Sequence, residues 1–125
     1  PLPWTSEGPS FGFGSVEAHL PQPSWFAEHA ADGQASDPAS TLSLYREALR
    51  LRHQLQAEET LEWVETGRAD VLRFIRPNGW QIVTNFGPEP FALPTEIVDR
   101  VVLTSGTAFD GAVPGETTVW IAPQQ

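Results

Sequence analysis

DVLRFIRPNGWQIVTNF, residues 70–86, is the stretch that decides the fold. Its halves, 70–76 and 80–86, are short runs rich in Val, Ile, Thr and aromatic residues. Apolar and polar residues alternate within them, the period of a strand with one face covered. Pro77-Asn78-Gly79 lies between the halves. Asn-Gly between two such runs is a hairpin signal, because both residues tolerate positive φ.

Further runs flank the hairpin: TLEWVET at 60–66, RVVLTS at 100–105 and TTVWIA at 117–122. Thr66-Gly67-Arg68, Gly87-Pro88, Ser105-Gly106 and Pro114-Gly115 punctuate them. Strands about ten residues apart with turns between them predict an antiparallel β-sandwich of about five to seven strands over residues 58–125. The fold class read from the sequence is therefore mainly β, preceded by one long helix and an irregular segment.

The helix is read over 37–56. Asp37 suits an N-cap and Pro38 a first helical position. Leu42, Tyr45, Ala48, Leu49 and Arg52 fall on one side, with Leu44, Ala48, Leu51 and Leu55 beside them. Together they form an apolar stripe broad enough to be buried. Arg46, Arg50 and His53 stand towards the other face and the C-terminal end, where positive charge suits the dipole. Before the helix, residues 1–36 are dense in Pro and Gly but carry Trp4, Phe11, Phe13, Trp25 and Phe26. Such spacing breaks helices and ladders. So many aromatics are foreign to a disordered linker, so the segment is expected to lie against a surface.

Composition narrows the function. The 125 residues include 16 Asp and Glu against 7 basic residues, all Arg, for a net charge of −9. That balance disfavours nucleic acid and anionic membrane. No apolar run approaches the roughly 20 residues that span a bilayer, and no signal peptide opens the chain, so the expected location is cytoplasmic. The absence of Cys excludes disulfides, thiolate metal sites and Cys nucleophiles. The length suits one domain and falls well short of the roughly 250 residues of a (β/α)₈ barrel. The chain opens on Pro1 and has no Met, compatible with removal of an initiator and with a piece of something longer.

Candidate chemistry is sparse. Glu58, Glu59, Glu62 and Glu65 crowd the start of the first strand, but alternation turns Glu62 away from Trp63, and a solvated acidic loop is the simpler reading. His19, His29 and His53 show no paired spacing, and no Ser lies in a nucleophile-elbow motif. Phe11-Gly12-Phe13-Gly14 lacks the strand, helix and Lys of a phosphate loop. Asp110-Gly111 reads as a turn rather than a calcium loop. Trp63, Trp80 and Trp120 stand on strands, where exposed indoles stack on sugars and buried ones fill a core; at least two are read as core. Arg73 beside Phe74 and Arg76 near Trp80 suggest cation–π contacts. No catalytic, metal or cofactor residue is assigned, and the substrate-binding residues are unknown.

The order of features carries a resemblance. Pro1-Leu2-Pro3-Trp4, Gly12-Phe13-Gly14 and Trp25 come first. Asp37-Pro38-x-Ser40-x-Leu42-x-Leu44-Tyr45-Arg46 and Leu49-x-Leu51-Arg52 follow. Val71-Leu72-x-Phe74-x-Arg76, Val83-Thr84-Asn85-Phe86, Leu93-Pro94 and Trp120-x-x-Pro123 complete the series. The chain as a whole resembles the C-terminal end of the α-glucosidase and oligo-1,6-glucosidase group of glycoside hydrolase family 13. The resemblance implies that 1–36 is part of the loop after the last barrel strand, 37–56 the last barrel helix and 58–125 the antiparallel domain C. It implies retaining hydrolysis of α-glucosidic bonds by an Asp nucleophile, a Glu acid/base and a second Asp. All three lie upstream, on barrel strands, and no position here matches their motifs. The implied partner is the catalytic (β/α)₈ barrel, with an oligosaccharide as the expected ligand. Without that barrel the helix stripe is expected to drive self-association. The alternative is a free carbohydrate-binding module that uses exposed Trp residues.

Overall fold

The structure is a computed structural model describing residues 2–56, 58–106 and 109–124. The chain forms two compact units, residues 1–47 and 48–125.

In the first unit, two 3₁₀ turns, Pro9–Gly12 and Ser24–His29, precede a short helix α1, Ala31–Ser36. The segment read as irregular therefore contains local helix, though none of it buries an apolar stripe. Backbone bonds fold it back on itself. The N–H groups of Trp4 and Thr5 share the Phe11 carbonyl at 2.8 and 3.0 Å. Ala31 N–H reaches Pro3 C=O at 3.2 Å, and Asp32 N–H reaches Trp4 C=O at 3.1 Å. Ser10 and Phe11 hold φ of 49° and 48°, left-handed values that disfavour residues with a Cβ.

The long helix α2 runs Thr41–Leu55, four residues later than the sequence suggested. Asp37 does act as a cap, but of the preceding turn: its Oδ1 accepts the Ala39 N–H at 2.9 Å. Ser40 then opens the helix, its Oγ accepting the Ser43 N–H at 3.1 Å. The Ser40 hydroxyl also donates to Gln34 C=O at 2.7 Å, and Gln34 Oε1 accepts the Leu42 N–H at 3.1 Å. The chain before α2 is thus held by α1, which displaces the first helical residue past Pro38. Of the two apolar rows, Leu44, Ala48, Leu51 and Leu55 are buried or half-buried, while Tyr45, Leu49 and Arg52 are exposed.

The second unit is the antiparallel sandwich. Strands β1 (Glu62–Trp63), β2 (Val71–Ile75), β3 (Gln81–Asn85), β5 (Val101–Thr104) and β7 (Thr117–Ile121) form a sheet in the order β1-β2-β3-β7-β5. Strands β4 (Phe91–Ala92) and β6 (Ala112–Val113) form a second, two-stranded sheet. A one-turn helix α3, Thr95–Val98, lies between β4 and β5 in sequence. In β3 and β7 every second residue is buried. The apolar ones join Val71, Leu93, Ile97 and Val113 in one core of Val83, Val119 and Ile121, flanked by Phe91, Val98, Val101 and Phe109. Burying one such side chain is worth roughly 1.5–3 kcal/mol.

The hairpin forms as expected, in register Ile75 opposite Gln81, with one difference in its turn. Only Gly79 takes positive φ, 88°, and Asn78 does not. Gly79 N–H closes the turn on Arg76 C=O at 2.8 Å, and Asn78 Oδ1 receives the Trp80 N–H at 3.4 Å. The Asn therefore serves by its side chain rather than by its φ.

Candidate functional site

Most motif residues turn out to hold the sandwich together. Asn85, fully buried at the end of β3, donates from Nδ2 to the carbonyls of Glu89, Val113 and Pro114 at 2.8–3.1 Å. Its Oδ1 accepts the Gly87 N–H at 3.0 Å. One amide thereby ties β3, the 86–90 loop and the end of β6. Arg68 and Asp70 brace the same loop. Their two side-chain bonds measure 3.0 and 2.6 Å, and Arg68 also donates to the Glu89 and Pro90 carbonyls. The guanidinium bond holds the Asp70 carboxyl below its ordinary value. There is no room at this junction: a Cβ on Gly87 would stand 1.8 Å from Asp70 Oδ2.

The three strand indoles separate. Trp80 is buried and meets Trp120 edge-on, ring centroids 5.1 Å apart, with Trp120 half-buried. Trp63 is 62 % exposed and leans edge-on against Phe74 at 5.6 Å. Cross-strand register places Trp63, Phe74, Ile82, Trp120 and Leu103 in a single row across all five strands. The Arg residues proposed for cation–π contacts are used otherwise. Arg73 donates twice to the buried Gln81 Oε1, at 3.1 and 2.7 Å, and Arg76 donates from Nη1 to the carbonyls of Glu59 and Thr60.

Glu58, Glu59, Glu62 and Glu65 are all exposed. His19, His29 and His53 are exposed too, and His29 packs edge-on with Trp25 at 5.7 Å. Among the described residues no group of three or more His, Asp or Glu is placed to hold a metal ion. No helix of the described residues is long and apolar enough to cross a membrane.

Two surfaces remain as candidates. One is the loop of the first unit, which presents Trp4, Phe13 and Trp25, each more than half exposed. Phe26 sits between Phe11 and Trp25, at 6.3 and 4.6 Å. Asp32 secures this loop by accepting Ser6 N–H at 3.0 Å, Ser6 Oγ–H at 3.3 Å and Gly33 N–H at 2.7 Å. The Ser6 backbone bond, first among these, holds its carboxyl below the ordinary value. Pro1, the start of the Pro-x-x-Trp motif, lies outside the described residues. The other surface is a cleft of about 400 Å³ beside the β2–β3 turn, lined by Thr60, Leu61, Glu62, Ile75, Arg76, Pro77 and Gly79. Sequence reading missed this cleft. It forms because Arg76 grips the carbonyls of residues 59 and 60, more than fifteen positions earlier, and only the fold shows that.

No family model and no curated protein matches the chain. Solved structures do. Trehalulose synthase MutB from Pseudomonas mesoacidophila superposes with a TM-score of 0.73 at 23 % identity, over 97 % of this chain and 24 % of its own. Isomaltulose synthase from Erwinia rhapontici, solved with its natural substrate sucrose, gives 0.73 at 18 % identity, over 98 % and 25 %. Trehalose-6-phosphate hydrolase from Bacillus licheniformis gives 0.72 at 18 %, over 96 % and 24 %. These are glycoside hydrolase family 13 enzymes, and the fold of this chain is the one their C-terminal β-sandwich portion adopts. The chain spans about a quarter of the length of the structures it matches.

Proposed function

We propose that the chain is the C-terminal part of a larger family 13 enzyme of the α-glucosidase type, and that its own role is structural. In this reading residues 1–36 belong to the loop after the last barrel strand, 37–56 to the last barrel helix and 58–125 to domain C. The partner is the catalytic (β/α)₈ barrel of the same enzyme, and the location is the cytoplasm. The hydrolysis of α-glucosidic bonds is done by carboxylates on that barrel.

The observation that carries the reading is the first unit's lack of a core. Ala30 is its sole buried apolar residue among those described, while Leu2, Trp4, Phe13, Val16, Leu20, Trp25 and Tyr45 are exposed. On α2, Tyr45 and Leu49 are also exposed, at the i, i+4 spacing of one helix face. Apolar surface on this scale belongs to an interface. A partner barrel is the occupant that fits, since the enzymes sharing this fold are some four times longer and contain one.

Light scattering across concentration tests the proposal. The chain by itself should self-associate, and Tyr45→Glu with Leu49→Glu should return it to monomer. A clean monomer of the unaltered chain at every concentration would count against the docking face. Turnover of p-nitrophenyl α-glucoside by the pure chain would overturn the non-catalytic role.

A further inference from the structure

We infer that Asn78 is a covalent modification site: its carboxamide deamidates, at a rate set by how firmly the end of α2 is held to the β2–β3 turn. The chain has two asparagines, Asn78 and Asn85, and they contrast. Asn85 is fully buried, its Nδ2 is shared among three carbonyls, and Phe86 follows it. Asn78 is exposed in a hairpin turn, and Gly79 follows it. Glycine leaves the backbone nitrogen after an asparagine unshielded, and its freedom in φ and ψ lets that nitrogen swing onto the side chain.

Water is the sole co-reactant. The Gly79 amide nitrogen gives up its proton and attacks Asn78 Cγ, closing a five-membered succinimide. The Cγ–Nδ2 bond breaks, and Nδ2 leaves as ammonia with that proton. Water then opens the ring at either carbonyl, giving an Asp side chain or an isoaspartyl linkage whose main chain runs through Cβ and Cγ.

The folded turn restrains this step at three atoms. Gly79 N–H, the future nucleophile, is donated to Arg76 C=O at 2.8 Å. Asn78 Oδ1 accepts the Trp80 N–H at 3.4 Å, and Asn78 Nδ2 donates to Leu55 C=O. Leu55 is the last residue of α2, so the carboxamide is pinned by the helix end as well as by its own turn. Arg76 Nη1 reinforces the junction by holding the Glu59 and Thr60 carbonyls that follow the helix. Attack on Cγ therefore waits on a local opening that breaks the Leu55 bond.

Conversion acts back on the helix. The last carbonyls of a helix have no partner within it, and Asn78 Nδ2 supplies one to Leu55. A carboxylate in its place has no proton to donate and sets negative charge against the negative end of the helix dipole. Turn and helix end then repel where they had been bonded, and the change is irreversible. Neither a barrel nor a bound ligand is involved.

The test ages the whole chain in mildly alkaline buffer beside a synthetic peptide of residues 74–82, both followed by mass spectrometry with fragmentation. The expected result is the amide-to-acid mass gain at Asn78 and none at Asn85, with isoaspartate among the products. The rate in the folded chain should be at least about tenfold below that of the peptide. Leu51→Ala truncates the buried residue of α2 and should raise the rate towards the peptide's. Urea below the unfolding transition should do the same to the unaltered chain, which keeps the test open if that variant fails to fold. Gln56 N–H closes the end of the helix on Arg52 C=O at 2.8 Å, and Asn78→Asp should speed its exchange about fivefold. The assignment is overturned if Asn78 stays intact through many half-lives of the peptide, or if it reacts as fast as the peptide. It is equally overturned if neither Leu51→Ala nor urea changes the rate, or if Asn78→Asp leaves Gln56 exchange unaltered.

Discussion

Residues 48–125 enclose a core of seven buried apolar side chains drawn from β2, β3, β6, β7 and the segment around α3. Among the described residues, the first unit encloses one, Ala30, and otherwise buries the hydroxyl-bearing Ser10 and Ser40. The first unit is organised by hydrogen bonds instead, from Asp32 to Ser6, from Gln34 to the start of α2 and between the Pro3–Thr5 backbone and its neighbours. A hydrogen bond nets about 1 kcal/mol against water, whereas a buried Ile or Val brings roughly 1.5–3. The difference teaches that shape and stability come apart in this chain. The second unit carries its own driving force, while the first is shaped by hydrogen bonds and leaves most of its large apolar side chains exposed.

Breaking the amide clasp of the second unit should have the largest effect. Asn85→Leu leaves three carbonyls and one N–H in a buried site without their partner, and is expected to cost about 3–5 kcal/mol in urea unfolding. An intact midpoint would mean that the clasp is dispensable. Next comes a matched pair of truncations. Ile121→Ala should cost about 3 kcal/mol, while Trp25→Ala in the first unit, although it removes more atoms, should cost less than about 1 kcal/mol. Equal costs would refute the contrast between the units. Gly87→Ala drives a methyl into Asp70 and should cost about 2 kcal/mol, measured the same way.

The smallest effect concerns acid. Asp32 in the first unit and Asp70 in the second both have carboxyls held below their ordinary value of 3.8. The folded state thus binds these protons more weakly than the unfolded chain does. The stabilisation is fully present above that ordinary value and is lost as pH falls through the depressed ones. Asp70→Asn should therefore flatten the acid limb of stability against pH, measured as the urea midpoint between pH 6 and pH 2 (about the range where carboxylates titrate). Asp32→Asn should instead speed amide exchange at Ser6 and Gly33 with little change in that midpoint.

Much of the second unit was legible because its signals are local. Alternation in 71–75, 81–85 and 117–121 predicted β2, β3 and β7, and Pro77-Asn78-Gly79 predicted the turn that joins two of them. Strands β4 and β6 were not legible: at two residues each they are too short for a period, and they exist because they cover the core beside β3 and β7. The helix was read four residues early, because Asp37-Pro38 is a valid start signal that α1 and Gln34 override. The polar lining of the cleft was half visible, since Glu62 and Arg76 had each been singled out. Nothing local links residue 62 to residue 76.

The sequence by itself determined the antiparallel strands, the hairpin, the long helix and the absence of thiol chemistry, because periodicity, turn residues and composition act over a few neighbouring positions. The tertiary structure alone decided which indole stays exposed, that the last strand β7 pairs between β3 and β5, that Asn85 locks three segments together and that Glu62 and Arg76 share a cleft. Those outcomes depend on contacts between residues far apart in the chain, where burial and hydrogen-bond geometry choose among arrangements that local patterns leave equal.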